Sequence, residues 1–305
     1  MEASFTRRKS RYVASILAAV IFIAAACIPA RAQDANLTAA EIAIQERVAK
    51  SGADVSVYFR TLDGNSEWYL LADDSFHAAS TMKVPVMIEL FHQAKVGKVK
   101  LDDAIPIKNE FHSIVDGSVY TLSAPDDSEA ELYKADGQTR TLSELCELMI
   151  TVSSNLATNL LIEKLGVDNI KATIHSLHAD GMSVLRGVED NKAFAKGLNN
   201  TTTARGLEQL LETIARGEAV DRESSQQMIE ILERQKFNEG IPAGLPPGTR
   251  VAHKTGEITK IHHDAAIVFA PKPFVLVILV RGIADTKVSA ALMADITRLL
   301  YQATQ

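Results

Sequence analysis

Cysteine is nearly absent from this chain, with only Cys27 and Cys146 in 305 residues. Positive charge is not in excess either: the formal net charge is −6, and no Lys/Arg stripe appears beyond the first dozen residues. That excludes a nucleic-acid partner, because polyanion binders cluster cationic side chains on one face. Internal repeats and low-complexity tracts are missing, which removes solenoids and disordered linkers from consideration. What remains is an ordinary globular composition, 47% hydrophobic and 23% charged, enough to build one large core without a covalent staple.

The one cationic cluster is terminal. Arg7, Arg8, Lys9 and Arg11 precede an apolar run from Tyr12 to Ile28, and Ala30-Arg31-Ala32 supplies small residues at both positions of a processing site. The pattern is that of a secretory signal, residues 1–32, cleaved after Ala32, and the expected location is periplasmic or secreted. The run is short for a membrane span and ends at Pro29, so no stable membrane insertion is expected after cleavage. Arg7-Arg8 hints at twin-arginine export without the apolar residues that should follow, and Ala24-Ala25-Ala26 before Cys27 makes a poor lipidation site. Removing the signal leaves Cys146 alone, so no intramolecular disulfide can form. It sits in LSELCELMI, whose helical periodicity makes it a core thiol.

Residues 37–52 have helical periodicity and a glycine stop. DVSVYFRTL and SEWYLLA flank Asp63-Gly64-Asn65 as a hairpin. Helical patterns follow at 80–95, 141–150, 154–165, 168–178, 202–217 and 221–233. After the loop PAGLPPG come three strands, RVAHKTG, DAAIVFAP and FVLVILVRG, and a last helix from Thr286 to Thr304. Strands at both ends with helices between them predict an α/β fold of the α+β kind. An antiparallel sheet from the two terminal segments (33–79 and 246–305) would be flanked by helices, and an all-helical part (80–245) would be inserted within a single domain, 33–305. A cleft between the parts is the natural place for a small-molecule substrate.

Ser80 and Lys83 lie three apart where a helix begins, so both would project from one face and share a hydrogen bond. A serine needs a base to become a nucleophile, and a lysine desolvated in a cleft acquires a pKa low enough to be one. Alone the pair reads equally as a capping serine and a solvated lysine. Two further elements change this: Ser153-Ser154-Asn155 before an amphipathic helix, and Lys254-Thr255-Gly256 at the end of a strand, 73 and 101 residues apart in order from Ser80.

This ordered S-x-x-K, S-x-N, K-T-G set resembles the penicillin-recognising serine hydrolases with a β-lactamase/transpeptidase-like fold, most closely the class A β-lactamases. The resemblance implies that Ser80 attacks an amide carbonyl with Lys83 accepting or relaying its proton. It implies that Ser153 passes a proton to the leaving nitrogen and that Asn155 holds the substrate's side-chain amide. Lys254, Thr255 and Gly256 would receive the substrate carboxylate. The backbone N–H groups of Ser80 and Glu257 would form an oxyanion hole. It calls for no cofactor and no metal, and the paired His262-His263 lacks a third ligand at a recognisable spacing. A monomer is expected.

The departures from the family pattern bear on the reaction. Ser154 stands where aspartate is usual, and Glu257 where a small or hydroxyl residue is usual, to be neutralised by Lys260 or turned away. His263 falls near the place of a carboxylate-binding arginine. The glutamate that frees the acyl-enzyme normally lies two residues after an arginine, with an asparagine four residues further on. Here Glu189 is the candidate, three residues after Arg186, and Ala193 replaces the asparagine. Asp190 or Asn191 are substitutes. Three readings therefore stand: a β-lactam hydrolase, a cell-wall D-alanyl peptidase or esterase, and a penicillin-binding or sensor protein that deacylates slowly.

Overall fold

FVLVILVR (Phe274–Arg281) is apolar at nearly every position, so neither of its faces can meet water. In the computed structural model, which describes residues 35–305, this strand is the middle of a five-stranded antiparallel sheet. In chain order the strands are β1 (Asp54–Thr61), β2 (Glu67–Leu70), β3 (Arg250–Ile258), β4 (Ile261–Phe269) and β5 (Phe274–Arg281), arranged β2-β1-β5-β4-β3. Side chains alternate across it with period two. Phe274, Leu276, Ile278 and Val280 pack outward against Ile44 of helix α1 (35–51) and against Met293, Ile296 and Leu300 of α9 (Thr286–Thr304). Val275, Val277 and Leu279 face inward to Leu207, Leu210, Leu211 and Ile214 of α7 (Ala204–Arg216).

The inner core continues into the helical part, built of α2 (Lys83–Lys95), α3 (Leu142–Thr151), α4 (Asn155–Leu165), α5 (Val167–Ser176) and α8 (Arg222–Glu233). Helix α2 is buried on every side from Lys83 to Phe91, as an all-round apolar helix must be, and it packs against α3, α4, α5 and α8. The helix starts are set by side-chain caps: a Thr141/Glu144 capping box on α3, Ser154 on α4, Thr203 on α7, Asp221 on α8 and Asp285 on α9. Cys146 is fully buried in α3, and burial pushes its thiol up to about 12, so it is an inert core thiol.

The antiparallel sheet with its helical insert has the expected architecture, with local differences. The helix expected from 80 begins as a 3-10 turn, Ala79–Met82, and becomes α-helical at Lys83. Strands β3 and β4 run further toward each other than their sequences suggest, joined only by Thr259 and Lys260, the latter left-handed at φ 59°. Helix α7 lies within the segment assigned to the helical part but packs directly on β1, β4 and β5. The signal segment, 1–32, lies outside the described residues. Among the described residues no helix is long and apolar enough to cross a membrane.

Helix α7 brings one costly group with it. Glu208 is 2% exposed, and its Oε1 has no hydrogen-bond partner. Burial, reinforced by Glu212 and Glu67 and opposed by Arg60 and Arg205, pushes its carboxyl up to about 8. The folded chain thus keeps a proton that the unfolded chain gives up near pH 4.5, so this residue's contribution to stability falls as pH rises through the window between the two values. Glu208→Gln is expected to flatten that dependence. Thermal unfolding at pH 5 should differ little from the parent, whereas at pH 8.5 the variant should be more stable by about 1–3 kcal/mol; equal gains at both pH values would contradict the assignment.

Candidate active site

Ser80 is delivered by a strained turn. The chain pairs Phe76–His77 with Thr201–Thr202, bonds Ala78 N–H to Asn200 O (2.8 Å), then turns through Ala79, which is left-handed at φ 46° and whose N–H donates to His77 Nδ1 (3.0 Å). Ser80 follows, half-buried and lining a cleft of about 1190 Å³. The 3-10 turn separates it from Lys83, and the expected Ser80–Lys83 hydrogen bond is not the one that forms. Lys83 is fully buried, and its Nζ donates to Ser153 O (2.7 Å), Ser153 Oγ (3.1 Å) and Asn155 Oδ1 (3.0 Å). Those three bonds use every proton of an ammonium; only the neutral amine has a lone pair to offer. Burial lowers Lys83 to about 7, against the opposing pull of Asp127 and Glu189.

Ser153, Ser154 and Asn155 form the turn into α4. Ser153 is left-handed at φ 60°, Ser154 caps the helix by accepting from Ala157 N–H (3.2 Å), and Asn155 is its first residue. The Ser153 hydroxyl also receives Lys254 Nζ (3.1 Å). Lys254 is fully buried, gives a second bond to Thr255 O (2.8 Å), and lies well below the ordinary lysine range because of burial and then repulsion by Lys83. The Asn155 amide bridges two groups, taking Lys83 on Oδ1 and giving Nδ2 to Glu189 Oε1 (2.9 Å).

Strand β3 closes the other wall. A Cβ on Gly256 would sit 3.1 Å from Ser80 N and equally close to Thr81, so only glycine lets the strand approach the backbone of Ser80 this closely. Thr255 and Glu257 line the cleft. Glu257 is exposed and turned to solvent, and among the described residues it makes no ion pair with Lys260. The placement of His263 beside a substrate carboxylate is corrected. Its ring is fully buried, bonded by Nε2 to His77 O (2.9 Å) and by Nδ1 to Val280 N–H (3.1 Å), and burial lowers it to about 4, so it is neutral and out of reach. The neighbouring His262 lines the cleft instead and contacts Ser289 Oγ (2.8 Å).

The loop 185–200 is pinned by side chains outside the three motifs. Arg186 is buried and donates to Leu198 O (2.8 Å), Gly187 O (2.9 Å) and Asn199 Oδ1 (3.2 Å), while Asn200 accepts from the N–H groups of Leu185 and Arg186. Asn159 on α4 clamps Val188 from both sides, through Val188 N–H (2.7 Å) and O (3.1 Å), and packs so closely on Gly187 that a Cβ there would be 2.5 Å from Asn159 Oδ1. Val188 thus holds the second place after Arg186. Glu189, left-handed at φ 61°, then turns its carboxylate back to Asn155 Nδ2 and Ser123 N–H (3.2 Å). Asp190 is not a free substitute: it accepts from Ser113 Oγ, Ile114 N–H and Ala193 N–H, capping the short helix α6 (Asn191–Ala195). Of the six left-handed non-glycine residues among the described residues, Ala79, Ser153 and Glu189 are at this site, the concentration of backbone strain expected where function has overruled local preference.

A model of the β-lactamase enzyme family matches residues 39–304. Beta-lactamase 3 of Bacillus cereus is 24% identical over 257 residues, covering 82% of this chain and 77% of that protein. Among solved structures, PBP-A is similar with a TM-score of 0.74 and 26% identity over 88% of this chain and 96% of its own. A mutant of PBP-A is an acyl-enzyme complex with penicillin G. The ancestral class A β-lactamase of the last common ancestor of Gram-negative bacteria has a TM-score of 0.75 and 27% identity over 87% of this chain and 99% of its own.

The approach of Gly256 to Ser80 gives a direct test. Gly256→Ala is expected to lower stability by about 1–3 kcal/mol, because the added Cβ forces β3 away from the backbone of Ser80 and Thr81. A circular-dichroism melt measures this; an unchanged melting temperature would contradict the close-approach argument.

Proposed function

The chain belongs to the β-lactamase enzyme family, and on that premise we propose that it is a serine hydrolase of class A type, opening β-lactam or related amide bonds through an acyl-Ser80 intermediate. The observation that carries this reading is the buried pair of lysines sharing the Ser153 hydroxyl, one of them, Lys83, with a pKa near 7. A buried amine that is half-neutral at neutral pH, three residues from Ser80 and bonded to the Ser153 hydroxyl, is the kind of base that serine chemistry requires.

In this reading neutral Lys83 takes the Ser80 proton as Oγ bonds to the amide carbon. The developing oxyanion is met by the backbone N–H groups of Ser80 and Glu257. The proton travels through Ser153 to the leaving nitrogen as the C–N bond breaks, and Lys254 and Thr255 meet the substrate's anionic group. Water then adds to the acyl carbon, with Glu189 as base, and Ser80 recovers its proton. The hydrogen bond from Asn155 to Glu189 supports that role by linking the carboxylate to the acylating groups. The compartment that goes with this reading is the periplasm or the exterior, on the strength of the sequence of residues 1–32, and one chain carries every group the reaction uses.

A second reading, slow deacylation in a penicillin-binding protein, is favoured by one observation. Both Glu189 oxygens already accept hydrogen bonds, and Ala193 offers nothing to hold a water beside them. The exposed Glu257 at the mouth of the cleft suits a peptidase or esterase whose substrate lacks an anionic group at that point.

The mature protein, mixed with a chromogenic cephalosporin and a fluorescent penicillin, distinguishes these. Turnover is expected, and Ser80→Ala should lose both turnover and label. Acylation should rise about tenfold per pH unit up to a midpoint near 7 and then level off, since Lys83 becomes active on losing its proton. Lys83→Met should be about 10²–10⁴-fold slower. Turnover retained in Ser80→Ala, or a rate flat with pH, would sink the mechanism. Label that persists in the parent identifies the slow deacylator; label that persists only in Glu189→Gln identifies Glu189 as the hydrolytic base.

A further inference from the structure

The first N–H groups of a helix have no partner within it and must find acceptors elsewhere. At the start of α4 the residue at position 154 is serine, and among these N–H groups its hydroxyl accepts only from Ala157. The N–H groups of Asn155 (2.8 Å) and Leu156 (2.9 Å) go instead to Asp127 Oδ2, on a segment far back in the chain. The same oxygen accepts from Tyr133 OH (2.9 Å) and Ser154 Oγ (3.3 Å), and Oδ1 accepts from Glu129 N–H (3.0 Å). Asp127 is 7% exposed, so a charge has been buried and satisfied at the positive end of a helix, where an anion is favoured. Its neighbours Asp126 and Ser128 line the cleft.

We propose that Asp127 is a positioning residue of the active site: a carboxylate supplied by the 124–136 segment that fixes the Ser153–Asn155 turn and ties the cleft wall to it. The proposal rests on the acyl-serine reading for its kinetic consequence, though the geometry stands apart from it. Ser153 and Asn155 between them accept every hydrogen bond of Lys83, so whatever holds the turn also holds the base. The carboxylate also faces Lys83 electrostatically, together with Glu189 and opposed by Lys254. Its loss would make Lys83 give up its proton more readily.

The test compares the parent, Asp127→Asn, Ser154→Asp, and the variant carrying both changes. Asp127→Asn should slow penicillin acylation about 10- to 100-fold and move the midpoint of its pH profile downward. Ser154→Asp puts a carboxylate at the turn itself, so adding Asp127→Asn in that background should cost at least tenfold less. A merely structural role would lower the melting temperature and leave the midpoint of the folded fraction where it was, and that result overturns the proposal. If Asp127→Asn unfolds alone but folds with Ser154→Asp, the proposal is supported; if neither folds, it is overturned. Should the parent take no label, the acyl-serine reading fails instead, and hydrogen exchange decides. Exchange of the Asn155 and Leu156 amides should be at least 100-fold faster in Asp127→Asn, and unchanged exchange overturns the proposal.

Discussion

Lys83 holds a titratable nitrogen with no exposed surface, and its three hydrogen bonds all go to the turn that enters α4. Removing an ammonium from water is expensive unless every proton finds an acceptor and a counter-charge is close. Much of the surrounding structure answers that demand. The left-handed Ser153 turns both its carbonyl and its hydroxyl toward the amine, Asn155 adds a third acceptor, and Asp127 and Glu189 bring negative charge. The compensation is incomplete: a fully neutralised lysine would keep its proton, whereas this one falls to about 7.

Rigid elements surround the amine on three sides. Helix α2 is the buried axis of the helical part, α4 presents Ser153 and Asn155 at its start, and β3 is pressed against the 3-10 turn by the missing side chain of Gly256. The left-handed conformations of Ala79 and Ser153 are disfavoured by about 1 kcal/mol or more each. They persist because the packing around them leaves no alternative. A site distributed over two helices and a sheet edge keeps its geometry through the cooperativity of the whole core rather than through any local contact.

The parts legible from sequence were those governed by short-range pattern. S-x-x-K, S-x-N and K-T-G announced themselves by order and context, and the unbroken apolar run FVLVILVR announced a strand buried on both faces. What escaped depended on which way a side chain turns. His262 and His263 are adjacent letters, but period two sends one to the cleft and buries the other under His77. Ser80 and Lys83 are three apart, yet a 3-10 turn redirects the amine toward a loop seventy residues away. Asp127 sits in the unremarkable stretch APDDSEA, where nothing local distinguishes a solvated carboxylate from one that caps a distant helix. Asn159 gave equally little sign of the loop it holds.

In the proposed reading, the acylating and deacylating groups are supported by different kinds of structure. Ser80, Lys83, Ser153 and Lys254 stand on core helices and a strand, whereas Glu189 stands on a loop held by side-chain hydrogen bonds from Asn159, Arg186 and Asn200. On that reading, attack on a substrate would use the first set, and release of the acyl group would need the loop as well. The junction between them is a single amide, Asn155, whose oxygen serves Lys83 and whose nitrogen serves Glu189. On the acyl-serine reading proposed above, a change in the loop would act first on the lifetime of the acyl-enzyme and would reach its formation through Asn155 and through the pull of Glu189 on Lys83. The same scaffold would then move between destroying a β-lactam and retaining it by adjusting one loop, with Asn155 as the point through which the two halves remain coupled.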